Sequence, residues 1–303
     1  MTVLKTIGLT KHYGNMAAVD NLSLTVEKGD IYGLIGRNGA GKTTFMRLIT
    51  SLAMPTAGKV ELFGESTPTG IASAQNRIGC IIEGPALYPS LTALQNVESY
   101  RIQWGIPDKD VTQKALEMVN LTDTGKKKID NFSLGMKQRL GLAIALLTNP
   151  DFLILDEPTN GMDPIAIIEI RDLIKRLRDT GVTFLISSHI LTELAKVADK
   201  FAVIDHGKLI ADLTQSELQD TCKRALALIV DNVPKAITIL ETTLNIKQYK
   251  QISANELWIY EYLDNPSELT FQLSQNGIRV SSLQETGDTL EEYFANLIGQ
   301  GAN

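Results

Sequence analysis

Residues 36–43 read Gly-Arg-Asn-Gly-Ala-Gly-Lys-Thr, and no other segment constrains the fold of this chain as tightly. The octapeptide stands between an apolar run, Ile31–Ile35, and a helix-forming stretch at 43–51. Its glycines let the backbone curl so that successive N–H groups converge on phosphate oxygens, and the positive end of the following helix faces the same point. Lys42 then supplies a charge to the β- and γ-phosphates, and the Thr43 hydroxyl is a ligand for Mg²⁺. Gly36, Asn38, Gly39, Ala40, Gly41, Lys42, Thr43 and Thr44 are the expected nucleotide contacts. A strand–loop–helix unit of this kind demands an α/β fold with a buried sheet.

The chain up to about residue 215 agrees with that demand. Apolar runs recur at 152–155 and 182–186, and they suit strands buried between helix layers. Helical patterns occupy 137–148 and 165–180, and a hairpin is expected at 201–204 and 208–211 around Asp205-His206-Gly207. Past residue 220 the order changes to strand (225–230), helix (234–243), strand (246–252), strand (256–260), helix (266–276), strand (279–284) and helix (289–298). That βαββαβ run predicts a small C-terminal α+β domain of ferredoxin-like type. The expected division is 1–217 and 218–303. Charge follows the same division. Six Lys/Arg and eleven Asp/Glu fall in 220–303, so this part carries −5 of the chain's net −6.

A nucleotide site needs a second anchor for Mg²⁺. The run 152–155 ends in Asp156 and Glu157, which puts two acids at a strand terminus. Asp156 suits Mg²⁺, and Glu157 suits a general base that polarises attacking water. His12 and His206 match no chemistry and read as turn or surface residues.

Composition removes competing classes. With 44% hydrophobic and 21% charged residues the chain is not disordered. Two cysteines, Cys80 and Cys222, do not make a disulfide scaffold and read as reduced thiols. No apolar run reaches the roughly 18 residues of a membrane span. The first residues lack a basic patch followed by an apolar core, so no signal peptide is expected. The pI of about 5.2 speaks against a nucleic-acid partner.

With these motifs, residues 1–215 resemble the ATPase subunit of an ABC transporter. Phe132-Ser133-Leu134-Gly135-Met136-Lys137-Gln138-Arg139 is similar to the family signature and lies upstream of Asp156, as the family order requires. The resemblance implies a P-loop NTPase fold with a mixed sheet and a helical subdomain at about 85–150. It implies that Tyr13 stacks on adenine and that Ser133 and Gly135 bind the γ-phosphate of ATP held by a partner chain. Asp163, in Asn160-Gly161-Met162-Asp163, falls on the loop that crosses the dimer interface, and His189 on the switch histidine. Glu83 stands where the family usually has a glutamine that touches both the Mg²⁺/water cluster and the membrane partner. It is therefore an expected metal ligand and catalytic group. A glutamate there resembles the subgroup that exports bacitracin and lantibiotic peptides.

The implied assembly is a homodimer that closes on two ATP and drives a separate integral-membrane permease. The chain would then sit in the cytoplasm, peripheral on the inner face of the membrane, with peptide cargo reached only through the permease. The same motifs also suit two other readings: the same engine for a drug, an ion or a lipid-linked sugar, and a soluble ABC-type regulator.

Overall fold

The computed structural model describes residues 1–222, 224–287 and 289–300; Lys223, Asp288 and the last three residues of the expected 218–303 domain lie outside the described residues. The chain divides into two units, Met1–Gln215 and Ser216–Gln300.

In chain order the first unit runs β1 (Thr2–Tyr13), β2 (Met16–Glu27), β3 (Ile31–Ile35), α1 (Lys42–Ile49), β4 (Ala57–Leu62), α2 (Pro68–Ala74), β5 (Ile78–Ile81), α3 (Ala93–Gln103), α4 (Asp110–Met118), α5 (Leu134–Ala145), β6 (Phe152–Leu155), α6 (Pro164–Asp179), β7 (Thr183–Ser188), α7 (Leu191–Leu194), β8 (Lys200–Asp205) and β9 (Lys208–Thr214). Six strands form one sheet in the order β5-β6-β7-β3-β8-β9. The first five are parallel, and β9 closes the edge as the antiparallel arm of the β8–β9 hairpin. Every residue of β3, β6 and β7 is buried, which is why these segments read as unbroken apolar runs rather than as alternating ones.

A second, antiparallel sheet has the order β2-β1-β4. Along β2 burial alternates, with Val19, Leu22, Leu24 and Val26 turned inward. These side chains and their β1 neighbours share one core with α1, β3 and β6. Phe45, Met46 and Ile49 of α1 are fully buried in it, each worth about 1.5–3 kcal/mol relative to exposure. The phosphate-loop helix is thus fixed between two sheets.

The insert between β5 and β6 is helical. Glu98 of α3 accepts from Arg101 and from Thr112 of α4, which clasps the two helices. Helix α5 starts at Leu134, three residues earlier than the apolar pattern indicates, because the Ser133 side chain caps it by accepting from Met136 N at 3.2 Å. The chain has left the helix by Asn149, whose φ is +49°, ahead of Pro150.

The second unit carries α8 (Gln215–Thr221), which begins at the boundary, then β10 (Ala225–Val230), α9 (Val233–Thr242), β11 (Tyr249–Gln251), β12 (Glu256–Ile259), α10 (Pro266–Gln275), β13 (Val280–Thr286) and α11 (Leu290–Gln300). Its sheet has the order β11-β12-β10-β13 with all neighbours antiparallel. Leu226, Leu228, Leu257 and Ile259 pack with Ala236 and Leu240 of α9 and Leu269 and Leu273 of α10. Strand β11 is shorter than the 246–252 expected. Ile246 N is bonded to Leu240 O, and the N–H groups of Lys247 and Gln248 donate to the Glu261 carboxylate instead of to a strand. No helix among the described residues is long and apolar enough to cross a membrane.

Candidate nucleotide site

The loop between β3 and α1 is built for close backbone approach. Gly41 has φ +107°, and a Cβ there would stand 2.3 Å from the Ala18 carbonyl oxygen. A Cβ on Gly36 would stand 2.4 Å from the Ile204 carbonyl oxygen. No side chain fits either place. The β8–β9 turn braces the loop from outside, where Gly207 N donates to Ala40 O and Gly207 O accepts from Asp20 N, both at 2.9 Å. The Lys42 ammonium is buried and turned back over the loop, donating to the carbonyls of Gly36 at 2.7 Å and Arg37 at 3.3 Å.

Around this loop lies a cleft of about 460 Å³. Arg37 through Thr44 line it, together with Met16, Ala17, Ala18, Glu157 and His206. The expected contacts Asn38, Gly39, Ala40, Gly41, Lys42, Thr43 and Thr44 therefore converge on one cavity.

The carboxyl ends of β6 and β7 meet beside Lys42. Asp156 is buried, and both its oxygens are engaged. Oδ2 accepts from Thr43 Oγ1 at 2.8 Å, and Oδ1 accepts from Ser187 Oγ at 2.6 Å. Glu157 follows with left-handed backbone, φ +49°, and its N–H donates to the same Ser187 Oγ at 2.8 Å. That twist sends its carboxylate toward the lysine and the histidine. Oε1 lies 3.4 Å from Lys42 Nζ, and Oε2 lies 2.6 Å from His189 Nδ1. Lys42, Thr43, Asp156, Glu157, Ser187 and His189 thus form one hydrogen-bonded cluster. Its chemistry is a cation and a curled set of N–H groups for anionic phosphate, a hydroxyl–carboxylate pair of hard oxygens, and a carboxylate oriented by an imidazole.

Six expected residues stand outside the cleft lining and the cluster, Gly36 at the start of the loop being one. Ser133 and Asp163 are exposed helix caps; Asp163 accepts from Ala166 N at 2.9 Å to start α6. Gly135 is buried, and a Cβ on it would come within 2.9 Å of Ala166 Cβ, so the starts of α5 and α6 abut. None of the three lines the cleft of its own chain. Tyr13 ends β1 opposite Met16, is 46% exposed, carries the Lys11 ammonium 5.0 Å from its ring, and is not among the cleft-lining residues. Glu83 is ion-paired to Arg47 at 2.6 Å, outside the cleft lining.

Pattern reading passed over Ser187 in the cluster, and Met16, Ala17, Ala18, Arg37 and His206 in the cleft lining. Ser187 had a signal. It lies at the carboxyl end of β7, beside β6, which leads into Asp156, and neighbouring strand ends in a parallel sheet share a crevice. His206 had none, since only the register of the β8–β9 hairpin brings its turn to the phosphate loop.

Comparison with known proteins gives the same assignment from a different direction. The family model described as ABC transporter matches residues 19–160. A bacitracin transport ATP-binding protein of Bacillus licheniformis is 41% identical over 301 residues, covering 99% of this chain and 98% of its own. The chain belongs to the ABC transporter ATP-binding proteins. A lantibiotic transport ATP-binding protein of Streptococcus pyogenes is 41% identical over 210 residues, which are 69% of this chain and 90% of that one. Among solved structures, the ATP-binding subunit of an ABC transporter superposes with a TM-score of 0.64 at 27% identity, over 72% of this chain and 92% of the other. As a member of this family the chain is an ATPase.

Proposed function

We propose that this chain is the energising subunit of an exporter for antimicrobial peptides of the bacitracin or lantibiotic kind, acting in efflux or self-immunity. The observation that carries this reading is the 41% identity to a bacitracin transport ATP-binding protein over 99% of the chain, beyond the ATPase domain alone.

In the proposed reaction the triphosphate lies along residues 38–44, with Lys42 released from its own loop carbonyls onto the β- and γ-phosphates. Magnesium suits the Thr43 hydroxyl and the Asp156 carboxylate, a pair of hard oxygens already 2.8 Å apart, and when bound it neutralises phosphate charge. Glu157 accepts a proton from water as the water oxygen attacks the γ-phosphorus and the bond to the ADP oxygen breaks. His189 holds Glu157 Oε2 and fixes the carboxylate's orientation. Glu83 serves to couple this step to the membrane subunit.

The proposed assembly is a head-to-tail homodimer. Exposed Ser133, Leu134, Asp163 and Ile165 form a patch at the abutting starts of α5 and α6, suited to meet ATP held by a second copy. The permease is a separate integral-membrane chain, which places the ATPase peripherally on the cytoplasmic face. Its proposed seat is an apolar groove of about 530 Å³ between β5, Pro85, Tyr100 of α3, Trp104 just after that helix, and Gly141 and Ile144 of α5.

The test is isolation of Glu157→Gln from membranes with ATP, combined with peptide susceptibility of cells lacking the chain. The expected result is one co-isolated polytopic protein and cells sensitised to bacitracin or a lantibiotic. Sensitisation to an unrelated drug alone overturns the cargo, and isolation without a membrane protein overturns the transport role.

A further inference from the structure

The loop that leaves β5 has left-handed backbone at two consecutive residues, Glu83 at φ +63° and Gly84 at φ +114°. Glycine takes that conformation freely, whereas glutamate is strained in it and needs an external hold. Arg47 provides the hold, with Nη2 2.6 Å from Glu83 Oε2. Arg47 sits in the last turn of α1, the helix that opens with Lys42 and Thr43. At the other end of the loop, Ile81 O accepts from Asp156 N at 2.8 Å. The neighbours of Glu83, namely Ile82, Gly84, Pro85 and Ala86, wall the apolar groove. The ion pair therefore joins the phosphate-binding helix to the segment that shapes that groove.

We propose that Arg47 is a positioning residue of the ATPase: its guanidinium sets where the Glu83 carboxylate and the 82–86 loop stand, linking the phosphate helix to the groove wall. Arginine suits the task. It is permanently charged, so the carboxylate keeps its partner at every working pH, and its planar fork fixes direction as well as distance. The side chains of Arg47 and Glu83 are 38% and 60% exposed, so the pair adds little to global stability and its effect belongs in turnover. The inference rests on the reading of the chain as an ATPase.

The experiment is steady-state ATP hydrolysis and thermal unfolding of the full chain and of Arg47→Ala, Arg47→Lys, Glu83→Ala and the Arg47→Ala/Glu83→Ala double variant. Arg47→Ala and Glu83→Ala are each expected to lower kcat about tenfold with KM for ATP within about twofold, the pattern of a lost supporting contact. The double variant is expected to be no slower than the slower single, because both remove one interaction. Arg47→Lys, which keeps the charge without the fork, is expected to recover part of the rate. Wild-type turnover in either single variant overturns the proposal, as do losses that multiply in the double. An unfolding midpoint lowered by more than about 5 °C in Arg47→Ala assigns the pair to folding and also overturns it. A wild-type chain without ATPase activity instead removes the reading on which the proposal rests.

Discussion

Ser187→Ala probes the point where the two acids are held. The hydroxyl makes two contacts that alanine deletes, a donation to Asp156 Oδ1 at 2.6 Å and an acceptance from Glu157 N at 2.8 Å. Ser187 is fully buried and Asp156 nearly so, which leaves little room for water to replace it. A hydrogen bond to a charged group is worth about 1.5–3 kcal/mol, and an N–H left without its acceptor costs about 1–3 kcal/mol. The expected loss is about 3–4 kcal/mol. For a unit of this size that is a fall in unfolding midpoint of roughly 6–16 °C. Turnover is expected to fall about 10- to 100-fold, as when a ligand's supporting partner is removed. Scanning calorimetry and steady-state ATP hydrolysis on the same preparation read both effects. A midpoint within about 2 °C and a rate within about twofold of wild type would refute the claim that Ser187 fixes Asp156 and Glu157.

Two further perturbations test other parts of the account. Gly41→Ala forces a Cβ to within 2.3 Å of the Ala18 carbonyl oxygen at φ +107°. It is expected to weaken ATP binding about 100-fold in an equilibrium titration, since the loop must open to relieve the clash; unchanged affinity contradicts the close-approach argument. The Arg101 hydrogen bond holds the Glu98 carboxyl down at a pKa of about 2. A carboxyl lowered in the folded state stabilises above its unfolded pKa and loses that contribution as pH falls through the folded value. Glu98→Gln is therefore expected to melt below wild type at pH 7, with the gap closing between about pH 4.5 and pH 2. A gap independent of pH contradicts the clasp.

The parts of the site that were legible in the sequence are those carried by contiguous residues. The octapeptide at 36–43 and the strand ending in Asp156-Glu157 each encode local geometry, a curled loop and a strand end, so their chemistry follows from neighbours in the chain. The buried strands were legible for the same reason, because burial on both faces leaves an unbroken apolar run. Ser187, His206 and Arg47 act through contacts made across the sheet, the hairpin and the β5 exit, and no local pattern records those. Helix α5 shows the intermediate case. Its apolar stripe gave the body of the helix, while its start was set by the cap at Ser133. Glu83 was placed by its position in a motif order; its actual partner, on a different helix, depends on how α1 packs between the two sheets.

Glu157 stands at the head of the proposed reaction as the group that activates water for ATP hydrolysis. Single-turnover hydrolysis by Glu157→Gln, with dimer mass followed by light scattering in ATP, tests it most directly. Retained ATP binding, hydrolysis slowed at least about 100-fold, and a long-lived dimer are expected. Hydrolysis at the wild-type rate by Glu157→Gln would contradict it.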